Sequence, residues 1–163
     1  MKVVRGMLAV AGMWLVAQGA VRAENEYTFI QLALLPPQLQ LADEKMDIKG
    51  LRLEIYGRNA NVSALDLGIL NETTGKFGGL GFGLANFAGE DSGGIQFAGI
   101  FNQAHKGFSG AQVGLVNHAG KMKGIQLGLV NIADDMDGLQ IGLWNQINSK
   151  DLWYVLPIVN WKF

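Results

Sequence analysis

The sequence predicts an all-β protein built from tandem strand repeats, and two observations lead to this prediction. The octapeptide GIQLGLVN at residues 124–131 returns as GLQIGLWN at 138–145 and as GAQVGLVN at 110–117, a spacing of 14 residues. Within each copy, apolar residues alternate strictly with Gln and Gly, and this period of two is that of a β-strand. Each repeat is therefore expected to supply one strand and the turn that follows it.

Weaker copies extend the repeat array from about residue 50 to residue 163. They end at Asn102, Asn86, Asn71 and Asn59, and a last degenerate copy ends at Asn160, which gives about eight units. The copy that ends at Asn102 carries one extra residue, which predicts a β-bulge. The recurring polar positions predict structural columns whose side chains bond between neighbouring strands. These columns are Gln96, Gln112, Gln126 and Gln140; Gly114, Gly128 and Gly142; and Asn86, Asn102, Asn117, Asn131 and Asn145.

The first 23 residues are typical of a cleavable signal peptide. Lys2 and Arg5 form a basic start, residues 7–17 form an apolar core, and Val21-Arg22-Ala23 supplies the small residues of a cleavage site. The apolar run is shorter than the roughly 20 residues that a membrane-spanning helix needs. We therefore expect an exported chain, residues 24–163, that forms a single β-repeat domain.

The segments around the repeats predict the remaining elements. Residues 27–35 are expected to form an additional strand, which ends at Pro36-Pro37 because proline cannot donate to a ladder. Residues 38–49 form a polar connection. The stretches between copies, such as 117–123 and 131–137, are rich in Asp, Asn, Gly and Lys, which predicts turns.

Composition and charge exclude several classes of function. With 13 basic and 14 acidic residues the formal net charge is −1, so no electrostatic field favours nucleic acid as a partner. The absence of Cys excludes a thiol enzyme and a Cys-ligated zinc site. His105, His118 and the acidic residues 134–137 lack the spacing of a metal or catalytic site, and solvated turns are the better interpretation. We predict no enzyme activity, no catalytic or metal-binding residue and no cofactor.

Beyond the repeat unit, the flanking segments resemble those of a bacterial surface-repeat family built on tandem GLQxGLxN units. The similarity runs from about residue 31 to residue 163 and includes LLPP at 34–37, GLRLEIYG at 50–57 and PIVNWKF at 157–163. The family consists mainly of envelope or surface proteins of undefined activity. The resemblance therefore implies a location at the cell surface rather than a mechanism.

An antiparallel up-and-down β-barrel of outer-membrane type is the first architecture that the repeat predicts. Its apolar residues would face lipid, while Gln and Gly would face a narrow lumen. The last strand alternates Val159, Trp161 and Phe163, which resembles the assembly signal of outer-membrane barrels. An internal polar network is expected on the lumen side, formed by Arg52, Glu54, Tyr56 and Asp66.

A parallel β-solenoid with one coil per repeat is the alternative, with the apolar face turned inward and the asparagines stacked in a ladder. A barrel with unequal turns would repeat at about 28 residues, since its strands alternate in direction, whereas this array repeats at 14. Three apolar positions also span only about 13 to 17 Å, less than the roughly 25 Å apolar band of membrane barrels.

These features predict a non-enzymatic structural protein of the outer membrane or cell surface, with outer-membrane lipid as the partner of its apolar residues. The alternative function is a soluble secreted or periplasmic β-solenoid that binds a polymer or a partner protein.

Overall fold

A parallel β-solenoid is formed by residues 27–163, the part of the chain that the computed structural model describes. All its strands belong to one sheet with the order β2-β1-β3-β4-β5-β6-β7-β8-β9. The strands are β1 (Tyr27–Leu35), β2 (Leu39–Gln40), β3 (Asp47–Asn59), β4 (Val62–Thr73), β5 (Phe77–Ala88), β6 (Ser92–Val113), β7 (Val116–Leu127), β8 (Val130–Ile147) and β9 (Val155–Lys162). Within residues 27–163, no helix has the length and apolarity needed to cross a membrane.

Each level of the solenoid lies one repeat further along the sequence than the level before it. Strands β3 to β8 pair in parallel, so Gln126 of one level lies beside Gln140 of the next. The array makes about six turns. Because neighbouring strands lie about 4.8 Å apart, six turns give a stack about 30 Å long.

The parallel pairing confirms the all-β class and the solenoid alternative, and the prediction of an antiparallel barrel is wrong. The physical reason lies in the 14-residue period. When every coil returns to its starting point after one repeat, identical residues lie directly above one another, and their amide side chains can bond from level to level. Antiparallel neighbours would run in opposite directions and could not keep every repeat position aligned.

Glycine at the first position of every copy except the one that begins with Ala64 allows the coils to approach closely at a bend. Six of these glycines, from Gly50 to Gly138, have φ between 110° and 154°, a region that other residues rarely adopt. A Cβ atom on Gly124 would overlap the carbonyl oxygen of Gly110 on the level before. The stretches between copies are not turns, because residues 117–123 and 131–137 lie within β7 and β8.

The ends of the array depart from the regular coil. β1 ends at Leu35, before the two prolines, and pairs in parallel with β3. The predicted polar connection at residues 38–49 instead contains β2 and the start of β3. The predicted bulge is present, since Gly83 pairs with Ala98 but Ala85 pairs with Phe101. At the other end β9 runs antiparallel to β8.

The interior is lined by the polar residues of the repeat, so the inward apolar face predicted for the solenoid is wrong. Gln112, Gln126 and Gln140 are fully buried, whereas Leu143 is 71% exposed. A 14-residue coil encloses a narrow space, and glycine beside the amides leaves room for them. A Cβ atom on Gly128 would lie 2.6 Å from Nδ2 of Asn117. The apolar core comes instead from the stretches between copies, chiefly Ala104, Phe108, Ala119, Met122, Ala133, Met136 and Ile147.

Candidate functional site

A continuous ladder of asparagines runs through the interior along the solenoid axis. From Asn71 to Asn145, each Nδ2 donates to Oδ1 of the next asparagine at 2.8 Å. The same nitrogen donates to a backbone carbonyl of the next coil, such as that of Leu127 for Asn117 at 2.9 Å. Both amide hydrogens are therefore used inside the protein, which is what burial of an amide requires. The ladder contains Asn71 and the predicted Asn86, Asn102, Asn117, Asn131 and Asn145.

A second ladder is formed by the glutamines and runs in the opposite direction. Nε2 of Gln140 donates to Oε1 of Gln126 at 2.8 Å, Gln126 donates to Gln112 at 2.9 Å, and Gln112 donates to Gln96 at 3.1 Å. The asparagine amides donate toward the end of the chain and the glutamine amides toward its beginning. Their dipoles therefore oppose each other within one interior.

Two repeat boundaries differ from the prediction. Asn59 does not belong to the asparagine ladder, because it pairs with Thr73 in the column that holds Ala88 and Ala104 further along. Gly57 occupies the ladder position of that coil and pairs with Asn71. Asn160 lies on β9 opposite Gln140, and so outside the ladder. These two copies are degenerate, and spacing alone could not align them.

A buried ion pair replaces the glutamine ladder at the beginning of the array. Arg52 and Asp66 share the column of Gln96, and the guanidinium donates twice to the carboxylate, from Nε to Oδ1 at 2.9 Å and from Nη2 to Oδ2 at 2.6 Å. Both side chains are inaccessible to solvent. The predicted network thus contains Arg52, Asp66 and Glu54 but not Tyr56, whose hydroxyl donates to Glu72 on the outer surface at 2.6 Å.

Glu54 fills the place of the missing ladder asparagine. A Cβ atom on Gly57 would overlap the Glu54 carboxyl group, which therefore lies beneath Asn71. Although Arg52 Nε lies 3.2 Å from Glu54 Oε1, it donates to Asp66, and neither Glu54 oxygen nor Oδ1 of Asn71 has a hydrogen-bond partner. Burial raises the pKa of Glu54 to about 8; the positive charge of Arg52 lowers this pKa, and the negative charge of Asp66 raises it. A carboxyl group with this pKa is protonated at neutral pH and can donate a hydrogen bond.

The outer surface carries the apolar residues of the repeat, which we call the apolar face. It consists of three columns that continue through seven levels. The first column is Leu51, Leu65, Leu80, Ile95, Ala111, Ile125 and Leu139; the second is Leu53, Leu67, Phe82, Phe97, Val113, Leu127 and Ile141; the third is Ile55, Ile69, Leu84, Ile100, Leu115, Leu129 and Leu143. Every residue of the third column is between 45% and 71% exposed. None of the three columns contains a charged or amide side chain.

Charged side chains occupy the other sides of the coil. Ion pairs join Lys106 to Glu90 and Lys162 to Asp135 across neighbouring levels. Lys162 and Ser149 both donate to the Asp135 carboxylate and lower its pKa to about 2. The exterior is therefore amphipathic around the coil, with apolar and charged residues on different sides.

Two of the predicted assembly-signal residues, Val159 and Trp161, lie on β9 at the end of the apolar face, and Phe163 follows the strand. Val159 pairs with Ile141 and Trp161 with Leu139, so the two side chains extend the second and first columns by one level. Trp161 is 52% exposed and Phe163 is 88% exposed.

The residues considered for metal binding or catalysis do not come together. His105 is exposed, with Nδ1 3.2 Å from Nε2 of Gln103, and His118 lies half-buried in β7. Asp134 and Asp137 are exposed within β8. Among residues 27–163, no three His, Asp or Glu side chains are close enough to hold one metal ion.

Sequence reasoning left the direction of the apolar face open, because the barrel expectation placed the apolar residues outside and the solenoid expectation placed them inside, although a signal for the outward direction was present. Each stretch between copies carries its own apolar pair, Ala119 with Met122 and Ala133 with Met136, and these pairs form the core. Because this second set of apolar residues fills the core, the Leu, Ile, Val and Phe residues of the repeat copies can point outward. No family model, curated protein or solved structure matches this chain.

Proposed function

We propose that this protein is a non-enzymatic structural protein of the outer membrane or cell surface, attached there through its apolar face. The observation that carries the proposal is the uncharged outer surface of Leu, Ile, Val and Phe over seven levels. Monomeric soluble proteins rarely expose contiguous apolar patches larger than a few hundred Å². A surface of this kind is expected to be covered when the protein is in its working location.

The interior supports a structural role rather than a chemical one. Its amide nitrogens donate to other amides and to backbone carbonyls inside the coil, which leaves these donors unavailable to a substrate. The expected signal peptide and the resemblance to surface-repeat proteins favour the same compartment. Outer-membrane lipid is the proposed partner.

Fractionation of cells tests the location. The full chain is expressed in a double-membrane bacterium, and the membrane and soluble fractions are separated. We expect recovery in the outer-membrane fraction, resistance to extraction by high salt, and release by detergent. A matched chain without residues 2–23 should stay in the cytoplasm. Recovery of the full chain in the soluble periplasm would contradict the proposal.

A soluble secreted or periplasmic binding module is the second candidate. A cleft of about 500 Å³ on the charged side favours it, because Asp47, Lys76, Asp91 and Ser92 line the cleft with groups that can bond a polar polymer. Release by osmotic shock without detergent would support this function over attachment to the membrane.

A further inference from the structure

The strand β9 lies where a further coil would lie if the array continued. From β3 to β8 each strand pairs in parallel with the strand before it, whereas β9 pairs antiparallel with residues 138–146 of β8. Asn160 of β9 lies beside Gln140, at the position where a further coil would place its own residue of the glutamine column. The parallel array therefore stops where the chain reverses direction.

The antiparallel strand leaves the glutamine ladder incomplete. Each earlier ladder glutamine accepts from the next one, but within the described part of the chain nothing donates to the buried Oε1 of Gln140. The amide of Asn160 donates instead to the backbone carbonyls of Asn145 and Tyr154, both at 3.1 Å. A glutamine on a parallel strand would supply the missing donor, as Gln140 itself does for Gln126.

The backbone of β9 and of the turn before it is strained. Trp153 in the turn has a φ of 58° and Ile158 in the strand has a φ of 71°, a region that bulky residues rarely adopt. Such residues keep this conformation only because the surrounding structure holds them. Pro157 lacks a backbone N–H and Lys162 is charged, and natural edge strands use both features to resist pairing with another chain. We therefore expect β9 to be held less firmly than a regular coil and to be a poor template for a further strand.

The strand β1 carries residues that would continue the array from its other end. Gln31 lies in the glutamine column, and Ile30 and Leu32 lie in the first two columns of the apolar face. If β1 of a second copy lay parallel to β8 with its Gln31 beside Gln140, all three columns would continue in register. Nε2 of that Gln31 could then donate to Oε1 of Gln140, as in the ladder within one chain.

The outer edge of β1 is only partly covered in its own chain. The two-residue strand β2 pairs with Ala33 and Leu35. Ala42 closes the coil, since its N–H donates to Oε1 of Gln31 at 2.8 Å and its carbonyl accepts from Nε2 at 3.2 Å. Within the part of the chain that the structure describes, residues 27–31 have no strand on this outer side. A second copy would therefore displace a short segment, and Gln31 would exchange its bonds to Ala42 for bonds to the ladder.

We propose that the edge of β8 at residues 138–142 binds β1 of a second copy, and that β9 occupies this edge and blocks the assembly. When β9 is released, copies join end to end with their solenoid axes in line. Because two different surfaces meet and the contact does not close on itself, the product is a filament. Backbone pairing between strand edges holds the copies together. The apolar face takes no part, so the proposal does not depend on attachment to the outer membrane.

Loosening β9 tests the proposal on the full chain, purified in a mild detergent that covers the apolar face. Asn160→Ala removes the side-chain bonds that hold β9 to Asn145, Lys150 and Tyr154. Their loss should release β9 at least about tenfold more often. We expect filaments, seen by light scattering and electron microscopy, at concentrations at which the unchanged chain stays monomeric. The matched control is Asn148→Ala, which removes an exposed amide that bonds to Asp134 and not to β9, and it should stay monomeric.

A disulfide that pins β9 to β8 shows whether release of the strand causes the assembly. The chain has no Cys, and Ile141 pairs with Val159 across the two strands, so Ile141→Cys/Val159→Cys places two thiols opposite each other. In the Asn160→Ala chain, oxidation of this pair should abolish filaments and reduction should restore them. Circular dichroism verifies folding. If Asn160→Ala does not fold, Lys150→Ala replaces it, because Nζ of Lys150 donates to Oδ1 of Asn160 at 2.8 Å.

Cysteines at opposite ends of the array identify the two surfaces that meet. Leu139→Cys and Ile30→Cys are each made in the Asn160→Ala chain and mixed under oxidising conditions. We expect a disulfide between the two different variants, because Ile30 of one copy would lie beside Leu139 of the other. Each variant alone should form little disulfide-linked dimer.

Several results would overturn the proposal. These are filaments from Asn148→Ala to the same extent as from Asn160→Ala, filaments from the oxidised pinned chain, or no filaments from any folded variant with a loosened β9. Disulfides that form only between two copies of Leu139→Cys would also overturn it, since they would show contact through one identical surface. Recovery in the outer-membrane fraction is measured separately, so failure of this proposal leaves the proposed location standing.

Discussion

Replacing Glu54 with Gln should make the protein more stable at neutral pH and remove a pH dependence of its stability. Burial raises the pKa of Glu54 to about 8 in the folded chain, against an ordinary value of 4.5; nearby Arg52 lowers it and Asp66 raises it. Between these two values the folded state holds one proton more than the unfolded state. The stability present below pH 4.5 is therefore lost progressively as the pH rises through about 8.

The size of the effect follows from this proton difference. Within the window, each pH unit lowers the free energy of unfolding by about 1.4 kcal/mol. The loss is on the order of 3 kcal/mol at about pH 7 and on the order of 5 kcal/mol at about pH 8. Gln is neutral at every pH, and its amide can donate to Oδ1 of Asn71 at every pH, whereas the Glu54 carboxyl group can do so only while it is protonated. The variant should therefore be more stable than the unchanged protein by about 3 kcal/mol at about pH 7.

Urea unfolding followed by circular dichroism, in steps from about pH 5 to about pH 8, measures this difference. Asp135 does not titrate in the window, because its pKa is lowered to about 2. The matched control is Glu72→Gln, whose side chain is 30% exposed and which should keep the pH dependence of the unchanged protein. If the free energy of unfolding depends on pH in the same way for Glu54→Gln and the unchanged protein, the reasoning is refuted. Glu54 would then be ionised and paired with Arg52 in the folded chain.

Three further substitutions test the interior. Gly124→Ala should destabilise the protein by at least about 2 kcal/mol, because φ is 125° and the new methyl group would overlap the preceding level. In the control Gly78→Ala, the new methyl group would have no contact nearer than 4.0 Å, so this change should cost less than about 0.5 kcal/mol. Asn117→Ala should cost roughly 3 kcal/mol, because it leaves one buried amide hydrogen of Asn102 and the buried Oδ1 of Asn131 without a partner. Arg52→Met should cost about 3 to 5 kcal/mol, because the Asp66 carboxylate is left buried without its partner charge.

Urea unfolding measures all three, with controls that change the same residue types at exposed sites. Gln103→Ala removes an amide outside the ladders, and Arg58→Met removes a guanidinium that is 44% exposed; each should cost less than about 1 kcal/mol. Equal effects of the two glycine changes would contradict the close approach at Gly124. If Asn117→Ala is no less stable than Gln103→Ala, the result would contradict a stabilising amide ladder. An Arg52→Met cost no larger than that of Arg58→Met would contradict a stabilising buried ion pair.

Much of the local structure could be predicted from the chain because repetition amplifies weak signals. The copies at 110–117, 124–131 and 138–145 agree at most positions, and their alternation predicts strands. One extra residue before Asn102 predicts a bulge, and the structure has it. Where the repeat degenerates, the predictions are wrong, because Gly57 and not Asn59 occupies the asparagine column and Tyr56 lies outside the coil.

The sequence by itself determined that the chain is all-β, that it repeats every 14 residues, and that Gln and Gly share one side of each strand while Leu and Ile share the other. A period of two separates these sets but cannot say which one faces inward. Only the tertiary structure decided this, together with the parallel direction of pairing. Amides stacked about 4.8 Å apart can satisfy each other inside a narrow coil. Ala and Met from the intervening stretches supply the apolar core, so the Leu and Ile set is left on the outside.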